Sequence, residues 1–331
     1  MGEGKFLPVP YMLSHDQIIA AIPDALTSID VPRLGARHDG KVRDSYVIGA
    51  ERVLITTDRV SAFDRVVGAI PYKGQVLNQL SAWWFDQLAD VVPSHFVTMP
   101  DPNVTIAREA QALPVEVVVR GHITGSTSTS LWTLYVSGAE KPYGLTLPQG
   151  LKKNDALPEP VITPTTKAPA GANDERLREN DVVSRGIVAA SLWAEVRAAA
   201  LAVFKRGQQR ARTAGLILVD TKYEFGLIDG ALALIDEVHT PDCSRYWSQA
   251  SFEATRNTGA EPESLDKEHL RLWFAKQGYR GDGPVPPLPP ALVADLASRY
   301  ISVYERLTGV AFVPGAQPAG PRIAKALESL R

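Results

Sequence analysis

The sequence predicts an α+β fold, and three observations carry that expectation. Strand patterns separated by turn residues dominate the first hundred positions, mixed patterns fill the middle, and helical periodicity takes over at the end. No internal repeat is visible. At about 150 residues per domain as a soft prior, 331 residues suggest roughly two domains.

Residues 41–57 read as a hairpin. Val42, Tyr46 and Ile48 favour a strand, Gly49-Ala50-Glu51 interrupts it, and Val53-Leu54-Ile55-Thr56-Thr57 resumes it. Val76, Leu77, Leu80, Trp83, Trp84 and Leu88 recur at helical spacing, so a helix follows over 76–88. Residues 115–119 form a short apolar strand with Glu116 inside it. The proline-rich stretch 142–171 has little periodicity and is expected to be an irregular, mobile loop. Residues 181–212 give one long helical pattern ending near Gly215. An apolar strand at 216–219 then leads into a second hairpin with Asp229-Gly230 at its turn. Helices are expected at 268–277, 290–307 and 322–330, with a stiff proline-rich connection over 281–290.

Composition excludes several classes. With 45% hydrophobic and 22% charged residues the chain matches ordinary globular proteins, which excludes global disorder. Its 35 basic and 37 acidic side chains leave a net charge of −2, so no overall attraction to nucleic acid or an anionic membrane follows. The single cysteine, Cys243, excludes an intrachain disulfide and a four-thiolate zinc site and fits a reducing compartment. No apolar run approaches the roughly 20 residues of a membrane span. The apolar run 18–22 ends at Pro23, so a cytoplasmic location is expected.

Three segments carry candidate chemistry. Gly35 to Lys41 has the G-x-x-x-x-G-K spacing of a P-loop, but Val42 replaces the required hydroxyl and a strand follows where a P-loop needs a helix. A glycine turn with Lys41 reaching phosphates, or an ordinary hairpin with a solvated lysine, remain as readings. In Asp220-Thr221-Lys222-Tyr223-Glu224 alternation puts Asp220, Lys222 and Glu224 on one face. That row suits magnesium and phosphate; the alternative is a solvated face. A strict two-residue turn at Asp229-Gly230 would put Glu237 beside Glu224, whereas a three-residue loop would bring Asp236 there. Arg120 to Ser126 offers a guanidinium, backbone N–H groups and hydroxyls for anionic oxygens, and Arg245 could add a second fork. His122 and His239 lie near these motifs, but the six histidines show no ligand spacing and read as structural. Glycine and proline reach about 15% of the chain; Gly40, Gly121, Gly125 and Gly226 fall where a backbone would approach phosphate or turn sharply.

Taken together, Gly40-Lys41-Val-Arg-Asp44, Ser61-Ala-Phe-Asp64, Pro114 to Arg120 with Gly125-Ser126, Asp220 to Gly226, and Asp236-Glu237 with Pro241-Asp242 and Arg245 resemble the SAICAR synthetase family. Thr163 to Lys167 and the long C-terminal region look like its longer, yeast-like form. The resemblance implies a two-lobed fold related to kinases and ATP-grasp proteins, with antiparallel sheets in both lobes, ATP between them and a helical C-terminal region. It divides the chain into a β-rich lobe (1–114), a central α+β lobe with the ATP, magnesium and CAIR sites (115–260) and a helical region (261–331).

The implied activity is ATP-dependent ligation of L-aspartate to the carboxylate of CAIR, with ATP and Mg2+ as cofactors. By residue-level resemblance Lys41, Asp220 and Lys222 are catalytic. Gly40, Lys41, Arg43, Glu116, Val118, Lys222, Glu224 and Asp236 bind ATP, with Glu224 and Asp236 on the metal. Asp58, Ser61, Asp64, Arg120, Gly125, Ser126, Asp220 and Arg245 hold substrate. The expected partners are the small molecules CAIR and L-aspartate, without nucleic acid or membrane, and a monomer is expected rather than a homodimer.

Overall fold

The computed structural model describes residues 13–127, 129–167, 174–256 and 258–330. Contacts divide the chain into two compact units: Met1–Leu80 with Thr98–Ile106 and Leu265–Arg331, and Ser81–Val97 with Ala107–Ser264. Secondary structure is mixed helix and antiparallel sheet, as the sequence predicts.

In the first unit, the hairpin Arg43–Ile48 and Glu51–Thr56 closes at Gly49-Ala50, with Ile48 opposite Glu51. It lies in a five-stranded sheet whose buried face carries Tyr46, Val53, Ile55, Val104 and Ile106 against Ile323 and Leu327. A second core gathers Val60, Ile70 and Leu77 against Phe274, Tyr300 and Ile301. The helix Pro290–Thr308 supplies much of it, burying Val293, Leu296, Ala297, Tyr300 and Ile301 at the three- and four-residue spacing of one helical face. Gly309, at φ 72°, ends it. Arg59–Ala62 and Arg65–Ala69 form a two-stranded ribbon that gives Val60, Ala62 and Val67 to the second core, with Phe63 and Asp64 both left-handed at its turn.

The second unit is a six-stranded sheet around one long strand, Leu216–Ile228. Gln111–His122 pairs along one edge of it; Ala231–Ile235 and Ser244–Ser248 share the other. The helix Ala190–Thr213 packs against the long strand, burying Trp193, Val196, Ala200, Val203, Phe204 and Gly207. Facing it are Val117, Val119, Tyr223 and Phe225, all 0–1% exposed. Alternation therefore turns Glu116, Val118, Arg120, Asp220, Lys222 and Glu224 to the opposite face.

Two expectations are corrected here. Within its described part the stretch 142–171 is not irregular throughout, because Ala156–Ile162 and Thr165–Thr166 both add to Gln111–His122 as edge strands. An edge strand needs N–H groups on one side only, so Pro158 and Pro160 are tolerated there. Residues 168–171 at the end of that stretch, residues 172–173 after it, and Ser128 of the hydroxyl loop lie outside the described residues. The pattern over 181–212 is not one helix either. Glu179–Ser184 stops at Gly186, whose φ of 69° no continuing helix can hold, and the long helix begins at Ala190. Among the described residues no helix is long and apolar enough to cross a membrane.

Candidate active site

The outward face of the second unit's sheet carries a row of paired charges. At one end Asp220 lies opposite both Arg120 and Arg245 in the strand register. Arg120 Nη1 donates to Asp220 Oδ2 at 3.1 Å, and Arg245 Nε lies 3.6 Å from Oδ1. Arg120 Nε also donates to Thr163 Oγ1 at 2.8 Å, and its guanidinium sits 5.9 Å from the ring centroid of Tyr143. Such fixed guanidinium groups are suited to phosphate or carboxylate oxygens. Gly125, at φ 110°, brings its backbone against Ser130 and the Arg245 guanidinium, where an added Cβ would lie 2.4 Å and 3.3 Å from its neighbours.

At the other end Lys222 Nζ donates to Glu116 Oε1 at 2.6 Å and to Glu224 Oε1 at 2.8 Å. Lys167 takes the remaining oxygen of Glu224. Burial would depress the Lys222 ammonium, but Glu224, Glu116 and Asp236 outweigh it and hold its pKa well above the ordinary value. Burial likewise pushes the Glu224 carboxyl up, and Lys222 with Lys167 overturns that, leaving it below the usual carboxylate range. Glu116 ends up raised, since burial there exceeds the pull of Lys222. These groups are therefore hydrogen-bonded to one another rather than forming a solvated strand face.

The hairpin turn resolves a choice that the sequence leaves open. It is a strict two-residue turn, with Ile228 opposite Ala231 and Glu224 opposite Ile235, and Asp229 and Gly230 both left-handed. Yet the Asp236 charge is among those that raise the Lys222 pKa. The expectation that an odd-length loop is needed is thus corrected: parity breaks after the strand, where Asp236 itself adopts φ 68°. Glu237 is buried and accepts from the Thr240 hydroxyl.

The remaining candidates lie in the first unit. Lys41 Nζ and Asp64 Oδ1 pair at 2.6 Å, both largely exposed. Below them Arg59 donates to the carbonyls of Gly40 (2.9 Å) and Lys41 (3.2 Å) and to Asp44 (2.8 Å), so the glycine-lysine turn is braced by an arginine. Gly40 N–H closes that turn onto the Arg43 carbonyl, and Arg43 continues into the strand opposite Thr56. Asp58 is buried and accepts N–H groups from Leu26 and Gly74, each at 2.8 Å; burial raises its pKa to about 6. Ser61 Oγ accepts from Lys267 at 3.2 Å. Arg59 and Lys267 escape motif reading, Arg59 because it lies within a polar block without a pattern of its own, and Lys267 because nothing in its sequence surroundings marks it.

Of the four singled-out glycines only Gly125 is left-handed. Gly121 instead admits the long helix, since a Cβ would lie 2.8 Å from Gln208 Nε2. His122 and His239 are buried and neutral, their pKa values lowered by burial to about 4 and about 3. Burial also raises the Cys243 thiol to about 11, so it is no thiolate nucleophile at neutral pH. No group of three or more His, Cys, Asp or Glu arranged for a metal occurs among the described residues.

Comparison with known proteins gives the family of the chain. Residues 36–286 match the family described as SAICAR synthetase. The phosphoribosylaminoimidazole-succinocarboxamide synthase of Legionella pneumophila (strain Lens) is 48% identical over 303 residues, covering 91% of this chain and 96% of that protein. The chloroplastic synthase of Arabidopsis thaliana is 46% identical over 331 residues, 95% of this chain and 80% of that one. Among solved structures, the SAICAR synthase of Saccharomyces cerevisiae complexed with SAICAR superposes with a TM-score of 0.76 at 32% identity, covering 87% of this chain and 99% of that one. Fold and matches define a ligase. The chain belongs to the SAICAR synthetase family of purine biosynthesis.

Proposed function

We propose that the chain joins L-aspartate to the carboxylate of CAIR at the expense of ATP, giving SAICAR, ADP and phosphate through an acyl phosphate. The observation that carries this reading is the two-ended charged row, with paired arginines on Asp220 at one end and Lys222 among carboxylates at the other. The yeast relative's complex with SAICAR agrees with it.

Resonance makes a carboxylate a poor electrophile. A CAIR carboxylate oxygen attacks the γ-phosphorus of ATP and ADP leaves, which turns that oxygen into part of a phosphate leaving group. The aspartate amine then forms the C–N bond, phosphate departs and the nitrogen loses a proton. The chain's work is positioning and charge neutralisation. Arg120 and Arg245, with Gly125 and Ser126, hold the anionic substrate, and Asp220 keeps both guanidinium groups in place. Lys222 neutralises the phosphoryl group in transfer, Lys41 and Arg43 serve the nucleotide phosphates beside Gly40, and Glu116 and Val118 lie against the base. Asp58, Ser61 and Asp64 are assigned to the aspartate and CAIR pocket, Asp58 by shaping the backbone there.

Glu224 and Asp236 fit magnesium, because both are hard oxygen donors acting on one ammonium, and Mg2+ typically binds one or two carboxylates plus substrate phosphates. Bound there, the ion would neutralise phosphate charge. Glu224→Gln and Asp236→Asn are each expected to cut turnover at least about tenfold. Near-normal rates at saturating magnesium in both would contradict the assignment.

Arg245→Ala is expected to weaken CAIR more than ATP, the two dissociation constants measured side by side; equal losses would contradict its role. The reaction itself is tested by mixing enzyme, magnesium and ATP with CAIR, with and without aspartate. ADP formation that needs both substrates supports ligation. ADP with CAIR alone would make the enzyme a kinase, and no ADP in either mixture would make it a nucleotide-binding module.

A further inference from the structure

Asp236 and Arg245 stand at the two ends of one connection, Asp236 just after the strand Ala231–Ile235 and Arg245 at the start of the strand Ser244–Ser248. Its path is irregular, with Asp236 at φ 68° and His239 at φ 51°, and such backbone persists only where the surroundings fix it. Three successive residues of the long strand do so. Thr221 Oγ1 accepts from Ser244 Oγ at 2.8 Å, Lys222 N–H donates to the Cys243 carbonyl at 3.0 Å, and Tyr223 Oη lies 2.5 Å from His239 Nε2.

Tyr223 stands between Lys222 and Glu224 in sequence but projects to the helix-covered face. There His239 is fully buried: Trp84 lies edge-on at 4.5 Å, and Gly207 of the long helix leaves room for the imidazole. Tyr246 Oη donates to the His239 carbonyl at 2.7 Å, and the neighbouring Val238 N–H donates to Ser81 Oγ at 3.1 Å. The ring's Nδ1 has no partner among the described residues. Among the described residues its only side-chain hydrogen bond is the one to Tyr223.

We infer that Tyr223 and His239 form a positioning pair that sets both ends of this connection at once, so that nucleotide binding through Asp236 and substrate binding through Arg245 depend on one buried hydrogen bond. The inference rests on the roles proposed above for those two residues. Neither Tyr223 nor His239 touches a ligand; they act through the backbone they hold.

The test measures dissociation constants for ADP with magnesium and for CAIR, without turnover. Tyr223→Phe keeps the ring and removes the hydroxyl, and is expected to weaken both ligands about tenfold. His239→Asn suits the left-handed backbone but is too short to reach Tyr223, and is expected to do the same. His239→Gln, which replaces Nε2 with an amide at similar reach, is expected to stay within about threefold of the parent. Val203→Ala, on the buried helix face, supplies a loss of Tm without a change in either constant. If Tyr223→Phe and His239→Asn leave both constants within about twofold, or move only one of them, the pair does not position the connection. Asp236→Asn and Arg245→Ala run alongside: if neither weakens its own ligand, the proposed site assignments fail instead.

Discussion

Lys222→Met is expected to destabilise the second unit by about 2 kcal/mol, the order of charge-assisted hydrogen bonds lost from a part-buried pair. It is also expected to reverse the sign of the stability contribution that this cluster makes with pH. In the parent, the folded-state pKa of Glu224 is depressed, so its contribution is fully present above the unfolded value near 4.5 and is lost as pH falls through the folded one. Without the ammonium, Glu116 and Glu224 lose the cation that they share, and only Glu224 keeps its ion pair with Lys167 against burial and mutual repulsion. Their folded pKa values then rise above the unfolded ones, and stability increases as pH drops from 7.5 toward 5. Urea midpoints at the two pH values check this. A variant whose midpoint changes between these two pH values no differently from the parent's would show that Lys222 does not hold the carboxylates together.

Gly207→Ala is expected to lower Tm by about 5 °C, although replacing a glycine inside a helix by alanine ordinarily gains about 1 kcal/mol. The new Cβ would lie 2.4 Å from His239 Cε1 and 2.7 Å from a Leu218 methyl. The imidazole cannot step aside, because Trp84 backs it and Tyr223 holds it. Overpacking of this kind costs about 1–3 kcal/mol and more where nothing yields, enough to exceed the propensity gain. Thermal unfolding monitored by circular dichroism decides it. An unchanged or raised Tm would mean that the histidine relaxes and that its surroundings are looser than the contacts imply.

What the sequence discloses here is what local geometry controls. Alternation along one strand is enough to put Asp220, Lys222 and Glu224 on one face, and the structure places them there. Which groups oppose them is a matter of pairing: Arg120 meets Asp220 and Glu116 meets Lys222, at separations of 100 and 106 positions in the chain. Asp236 shows where parity reasoning stops, because one left-handed aspartate after the strand re-aims the chain that the two-residue turn had set. The prolines at 158 and 160 obscure an edge strand, and Gly186 inside a continuous apolar pattern divides what reads as a single helix. Lys267 and Arg59 become visible only when the ribbon Arg59–Ala62 and the Gly40-Lys41 turn are folded together with their neighbours.

The proposed chemistry turns on a CAIR carboxylate oxygen becoming part of the phosphate that leaves. The most direct measurement labels both carboxylate oxygens of CAIR with 18O, supplies ATP, magnesium and aspartate, and reads the isotope content of the inorganic phosphate by mass spectrometry. The acyl-phosphate path predicts one labelled oxygen in each phosphate formed, with the other retained in the new amide. Phosphate free of label would contradict it, because ATP would then have been cleaved without ever activating the carboxylate.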